Sequence, residues 1–259
     1  MTYSINVLVI AGTVDARNII SELIKTGVAV TATVTTSYGS ELLEAYEGID
    51  VHKGKLDSDG MLKLINERKI CCTIDASHPF AREASVNAIE ACTEAGIPYL
   101  RFEREGVTAE TGRIIKVKSF EEAARAACTF DGNIFLTIGT NNLKIFVDTI
   151  PDYKNRLFAR ILPDSRMVSR CEEAGLSAGN IIAVKGPFAT GMNIEMLKHC
   201  SASVLVTKES GEAGGMVEKL EAAASLDIPV IMVERPEVPY TAKVSTLEEV
   251  MEFIRQQVK

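Results

Sequence analysis

Asp75, Ser77 and His78 put a carboxylate, a hydroxyl and an imidazole into the short stretch Thr73-Ile74-Asp75-Ala76-Ser77-His78-Pro79-Phe80-Ala81. Such groups can hold a polar substrate or move a proton. An apolar, β-branched run precedes them, and Pro79 steers His78 towards extended backbone. This combination delivers polar side chains to the carboxyl edge of a parallel sheet, where open α/β proteins bind ligands. His78 can donate a proton, orient a ligand or merely close a turn. Asp75 is too near it in sequence to be assigned as its partner. His52 and His199 lack such a setting and read as surface or packing residues.

A second set of residues suits phosphate. The first strand runs into Ala11-Gly12-Thr13-Val14-Asp15-Ala16-Arg17. Gly12 and Thr13 fall at a strand-to-helix turn, where free backbone N–H groups attract anions and small residues permit close approach. The pattern departs from G-x-G-x-x-G, since Ala11 takes the first glycine position. The second strand ends in Thr35-Thr36-Ser37-Tyr38, without the acid that usually holds the ribose of NAD. This permits NADPH as well as NADH. It also disfavours an adenosyl-dependent methyltransferase, which would want an acid there.

A third set is cationic. Lys208-Glu209-Ser210-Gly211 follows a strong strand and precedes Gly214, Gly215 and a helix, which is the chemistry of an anion cradle without Walker spacing. Arg160 lies in or at the end of an apolar strand and needs a partner or a ligand carboxylate. Lys185, before Gly186-Pro187-Phe188, repeats the strand-end pattern, as does Thr137-Ile138-Gly139.

The elements that must position these residues alternate between short β-branched runs and longer helical patterns. Strands are expected at 5–11, 28–35, 49–52, 71–75 and 99–102, with helices at 16–25, 40–46, 59–68 and 81–95. A second series places strands at 134–138, 157–161, 181–184, 204–207 and 230–233. Its helices fall at 120–128, 143–148, 165–174, 193–199, 215–224 and 246–257. Such alternation predicts right-handed βαβ units and parallel sheets. The series end alike. Ile97-Pro98-Tyr99 runs through Glu103-Arg104 to Ser119-Phe120-Glu121-Glu122, and Ile228-Pro229-Val230 through Glu234-Arg235 to Thr246-Leu247-Glu248-Glu249. The fold class is α/β, with two Rossmann-like parallel-sheet domains at 1–110 and 111–259 and a ligand cleft between them.

Bulk properties limit the partners. The 259 residues carry a formal net charge of -7, which argues against nonspecific nucleic-acid or membrane-surface binding. No apolar run reaches the ~20 residues of a membrane helix. The start lacks the pattern of a signal peptide. The six cysteines form no C-x-x-C pair, so no disulfide framework or metal site is expected, and a cytoplasmic setting is.

In order and spacing these motifs resemble the precorrin-6A and cobalt-precorrin-6A reductases of cobalamin biosynthesis. The resemblance rests on Gly12-Thr13-x-Asp15-Ala16-Arg17, Asp75 to Ala81 with Asn87-Ala88, and Ile97 to Arg104. It continues through Thr137-Ile138-Gly139, Ala159-Arg160-Ile161-Leu162-Pro163, Gly186-Pro187-Phe188, Thr207 to Gly211 and Gly214-Gly215. Ala11 and Glu105 depart from the family's usual glycine and proline. The resemblance implies hydride transfer from NADPH or NADH to a macrocycle double bond, plus one proton. Any cobalt would belong to the substrate. It implies an anionic tetrapyrrole held by cations, with Arg17, Asp75, Ser77, Arg160 and Lys185 as substrate candidates. Arg82, Arg101, Arg104 and Arg235 are further cationic candidates. Cofactor candidates are Gly12, Thr13, Asp15, Thr35, Thr36, Ser37, Tyr38, Lys208, Ser210 and Gly211, and His78 is the catalytic candidate. The protein is expected to be a monomer or small homo-oligomer. The competing reading is a non-redox two-domain nucleotide- or small-ligand-binding protein.

Overall fold

The computed structural model describes residues 5–106, 112–211 and 214–257. The first series comprises β1 (Asn6–Ile10), α1 (Val14–Lys25), β2 (Ala29–Val34), α2 (Ser37–Leu43), β3 (Ile49–Lys53), α3 (Ser58–Glu67), β4 (Ile70–Asp75), α4 (Arg82–Ala95) and β5 (Tyr99–Phe102). The second opens with β6 (Ile114–Val117), α5 (Phe120–Ala127), β7 (Asn133–Leu136), α6 (Leu143–Thr149) and a short α7 (Tyr153–Arg156). It continues with β8 (Leu157–Ile161), α8 (Ser165–Glu173), β9 (Ile181–Ala183), α9 (Thr190–His199), β10 (Ala202–Lys208), α10 (Met216–Ser225) and β11 (Val230–Val233). Finally come β12 (Lys243–Val244) and α11 (Leu247–Gln257).

Both sheets are six-stranded and parallel, in the orders β12-β5-β4-β1-β2-β3 and β6-β11-β10-β7-β8-β9. The central strands are near-continuous apolar runs because helices cover both faces. In the first sheet Val7, Val9 and Ile74 pack with Ile19 and Leu23 of α1 and Val250 and Ile254 of α11. Leu8 and Ile10 face the other way, against Met61 of α3 and Ala88 of α4. In the second sheet Phe135, Leu205 and Met232 pack with Met196 of α9 and Leu220 of α10.

The chain divides into two compact units. Unit 1 is Met1–Glu105 with Pro236–Lys259, and unit 2 is Gly106–Arg235. This differs from a cut at 110/111 that leaves the chain's end with the second half. β12 pairs with β5 through Lys243↔Arg101 and Val244↔Phe102, and α11 completes unit 1's core. β6, which opens the second series, pairs with β11 within unit 2. Only the second series therefore gives its last strand and helix, β12 and α11, to the sheet of the other. The stretches after Arg104 and after Arg235, which echo each other in sequence, thus build unit 2 and unit 1 respectively.

Candidate active site

In unit 1 the strand order reverses at β1, which lies between β4 and β2. Such a reversal opens a crevice at the carboxyl ends of the strands. Gly12 sits there, exposed, with φ +114°, a conformation that glycine adopts freely. A Cβ built on it meets no atom within 4 Å. Thr13 caps α1: its Oγ1 accepts from the Ala16 N–H at 3.0 Å and donates to the Ala76 carbonyl at 2.7 Å. One hydroxyl thus starts the helix and ties the β1 turn to the loop after β4. Asp15, in the first turn of α1, pairs with Arg104 at 2.6 Å. Arg17 bonds back to the Thr13 carbonyl. At the end of β2, Thr35 and Thr36 are exposed, and Thr36 caps α2 by accepting from the Gly39 N–H. Tyr38 is exposed, and the side chain of Ser37 lies outside the described residues. Lys53, which sequence reading passed over, is exposed and stands opposite Val34 at the end of β3. Only the strand pairing reveals that neighbour.

Asp75 is fully buried rather than facing a ligand. Its Oδ1 accepts from the Ser77 N–H at 3.0 Å and from Arg101 Nη1 at 2.9 Å. Its Oδ2 accepts from Ser85 Oγ at 2.6 Å and Tyr99 Oη at 2.7 Å. A carboxylate with this many donors has little capacity left for substrate. Arg101, considered for substrate carboxylates, is 1% exposed and also reaches Ser77 Oγ and Glu103. Burial opposes its charge, but Asp75, Tyr240 and Glu103 outweigh burial and hold its pKa above the ordinary value. Burial, and then Asp75, push the Tyr99 hydroxyl well above the usual phenol range, so it remains a donor. Ser77 is likewise buried and held by this network. The network fixes the loop from which His78 projects. It assembles only because β5 lies beside β4 and pairs Asp75 with Arg101 in register.

His78 is half-buried, and its Nδ1 accepts from the Phe80 N–H at 3.1 Å. An accepting Nδ1 carries no proton, so the ring donates through Nε2. Pro79 and this bond together set the ring's direction.

The remaining candidates, Arg82 excepted, lie on unit 2. Lys208 closes β10, and Ser210 and Gly211 follow it; residues 212 and 213 lie outside the described residues. Arg235 binds this loop through its N–H to Glu209 Oε2 and its Nε to the Glu209 carbonyl. Arg160 lies on β8 with Nη1 2.8 Å from Asn193 Oδ1, and its guanidinium stacks over Phe135 and Phe188. Burial lowers its pKa to about 10. Lys185 is exposed just beyond β9, and Arg82 is exposed at the start of α4 in unit 1. Lys219, missed in sequence reading, is 5% exposed, with Nζ 3.5 Å from Thr207 Oγ1. Its signal was a lysine inside the inward stripe of Met216, Leu220 and Ala223 on α10. Among the described residues no group of three or more His, Cys, Asp or Glu side chains is arranged to hold a metal ion. Nor is any described helix long and apolar enough to cross a membrane.

Comparison with known proteins identifies the family over nearly the whole chain. The family model described as precorrin-6x reductase CbiJ/CobK matches residues 6–255. A cobalt-precorrin-6A reductase from Priestia megaterium is 39% identical over 254 residues, covering 98% of this chain and 99% of the relative. One from Methanothermobacter thermautotrophicus is 42% identical over 235 residues, covering 90% and 77%. A solved CobK precorrin-6A reductase aligns with a TM-score of 0.81 at 26% identity, covering 98% of this chain and 97% of the other.

Proposed function

The chain belongs to the precorrin-6x reductase family, and from that premise we propose which of its residues perform the reduction and on which substrate. It is an oxidoreductase of cobalamin biosynthesis that reduces precorrin-6A. The family assignment displaces the non-redox binding protein as a reading. Both relatives described above are named for the cobalt-containing substrate, which supports cobalt-precorrin-6A as the preferred one.

The observation that carries the site assignment is the hydrogen bond from Thr13 Oγ1 to the Ala76 carbonyl. It fixes the Gly12 turn and the His78 loop on either side of the strand reversal. The open space beside Gly12 and the start of the α1 helix fit a dinucleotide phosphate. When bound, the nicotinamide supplies the hydride. Gly12 and Thr13 would hold its phosphates, with Thr35, Thr36 and Tyr38 near the adenosine ribose. The absence of an acid after β2, with Lys53 beside that strand end, favours NADPH over NADH. Asp15, paired with Arg104, would orient that arginine towards substrate carboxylates. His78 would donate from Nε2 to a carboxylate or ring nitrogen of the macrocycle and position it, with solvent supplying the proton. Asp75, Arg101, Ser85 and Tyr99 act through the loop, as positioning residues.

Anaerobic turnover with cobalt-precorrin-6A and with precorrin-6A, each with NADPH and NADH, tests this reading by absorbance and mass. Reduction is expected to be fastest with the cobalt form and NADPH. With His78→Asn, KM should rise roughly tenfold while turnover is largely kept, because uniform binding is lost. A fall in turnover of ~100-fold with KM unchanged would make His78 the acid instead. Wild-type values for both would remove it from the site.

A further inference from the structure

Unit 2 holds one buried and one half-buried cation on one face of its sheet, Lys219 and Arg160, and among the described residues neither has a carboxylate within ion-pair distance. Arg160 is enclosed by Asn193 and Met196 of α9 and by two phenyl rings. Lys219 enters the same face from α10 and meets the Thr207 hydroxyl at 3.5 Å. Lys208 follows Thr207 directly at the end of β10. Withdrawing a charge from water without an opposite partner is strongly unfavourable, so Arg160 and Lys219 are retained together for an anion more readily than for packing. A methionine or leucine at position 219 would serve the core of Leu220, Met196 and Phe135 better.

The charged groups acting on Lys219 are Arg160 from β8, Lys208 from β10 and Glu218 from α10 itself. From α9 the cluster receives Asn193 and Met196, neither of which titrates. We infer that unit 2 carries a proton-linked anion site, in which Arg160 and Lys208 contact a carboxylate or phosphate of the ligand and Lys219 takes up a proton as that anion arrives. This rests on the reading that the strand-end cations hold ligand anions. Without an anion, burial first, and then Arg160 and Lys208, lower the lysine's pKa to about 7, against the pull of Glu218. An arriving anion offsets the repulsion. Nζ then takes one proton from solvent and becomes the third positive charge. Ligand affinity should therefore fall as pH rises above 7, by up to about tenfold per pH unit while the lysine is neutral in the free protein and charged in the complex.

Calorimetry on the intact protein tests this between pH 6 and 9, in two buffers of different ionisation heat. NADPH serves as the phosphate probe and uroporphyrin, a stable polycarboxylate tetrapyrrole, as the carboxylate probe. In one arm the parent should take up close to one proton per ligand near pH 8. The arm that does so identifies the anion. Lys219→Met should bind without that uptake, at the weak affinity and with no slope. Lys219→Arg, charged throughout, should bind without it at the strong affinity. Proton uptake that persists unchanged in both variants, or that is absent from the parent in both arms, overturns the linkage. Arg160→Met should weaken the same arm at least tenfold. If it leaves both affinities unchanged, the anion reading itself fails, whatever Lys219 does.

Discussion

β4 and β10 hold the same place in the two sheet orders, and they end differently although their ladders match. The Thr73 N–H bonds to the Pro98 carbonyl in unit 1, as the Leu205 N–H bonds to the Pro229 carbonyl in unit 2. Two residues further on, unit 1 has Asp75 opposite Arg101, and unit 2 has Thr207 opposite Met232. Unit 1 thus buries a carboxylate with its arginine and saturates it with hydrogen bonds. Unit 2 has no carboxylate there and points Lys219 at the threonine instead. One topology supports a charge-paired loop anchor in the first case and cations without an ion pair, Lys219 and Arg160, in the second. The strand order says where a site can form; the residues at this one ladder position decide its electrostatics.

Converting unit 1 into the pattern of unit 2 should give the largest effect. Asp75→Thr alone leaves Arg101 buried without its main partner, and breaking a buried pair in this way costs ~3–5 kcal/mol. Arg101→Met alone strands Asp75 similarly. The double variant carries both residues of unit 2 and should recover much of the loss, since no lone charge remains. Hydrogen-exchange mass spectrometry on β4 and β5 reads this locally, apart from the stability of unit 2. If the double variant were as unprotected as the sum of the single ones, the pair would contribute more than mutual charge compensation.

The second test addresses unit 2 through pH. Lys219 has its folded pKa lowered to about 7, below the ordinary 10.5. Between these values the unfolded chain binds more protons than the folded one, so stability rises with pH across that window and is flat below it. The slope is at most ~1.4 kcal/mol per pH unit, or roughly 2 kcal/mol from pH 7.5 to 9. Exchange protection of β10 and β11 should follow that slope in the parent. In Lys219→Met the slope should vanish, with unit 2 the more stable variant at pH 7.5. An unaltered slope would mean that another group titrates there and that the contrast between the units does not rest on Lys219.

Much of this was legible in the sequence. The alternation of Val/Ile-rich runs with helical patterns gives both sheets, and Pro79 after His78 marks the edge. The fate of the chain's ending was not legible. A strand as short as Lys243–Val244 carries no signal of which sheet it joins, and its helix is amphipathic enough for either. Asp75 reads as a ligand group because a carboxylate at a strand end usually meets solvent. Its four donors come from Ser77, Ser85, Tyr99 and Arg101, up to 26 residues away, and only the β4–β5 register brings them in. Lys219 was hidden in the opposite way, as one polar residue within an apolar stripe.

The two echoing helix starts supply the smallest test, because there the two units agree. α5 opens with Ser119 Oγ accepting from the Glu122 N–H, while Glu122 Oε2 accepts from the Lys118 N–H. α11 opens similarly. Thr246 Oγ1 accepts from the Glu249 N–H, and Glu249 Oε2 accepts from the N–H groups of Ser245 and Thr246. α11 closes a full capping box, whereas in α5 the glutamate reaches only the N–H that precedes the Ser119 cap; in both the hydroxyl satisfies a backbone donor that the first helical turn leaves free. The Ser245 and Thr246 N–H groups hold the Glu249 carboxyl below its ordinary pKa, so its contribution is present above the usual glutamate value and fades as pH falls through the lowered one. Ser119→Ala and Thr246→Ala should each cost roughly 0.5–1 kcal/mol, and by similar amounts, since exposed caps lie at the lower end of the measured range. The loss should appear as faster exchange in α5 for the first and in α11 for the second. If Thr246→Ala loosened α11 alone while Ser119→Ala loosened all of unit 2, the two helices would not be equivalent. The shared endings in the sequence would then reflect only a common way of starting a helix.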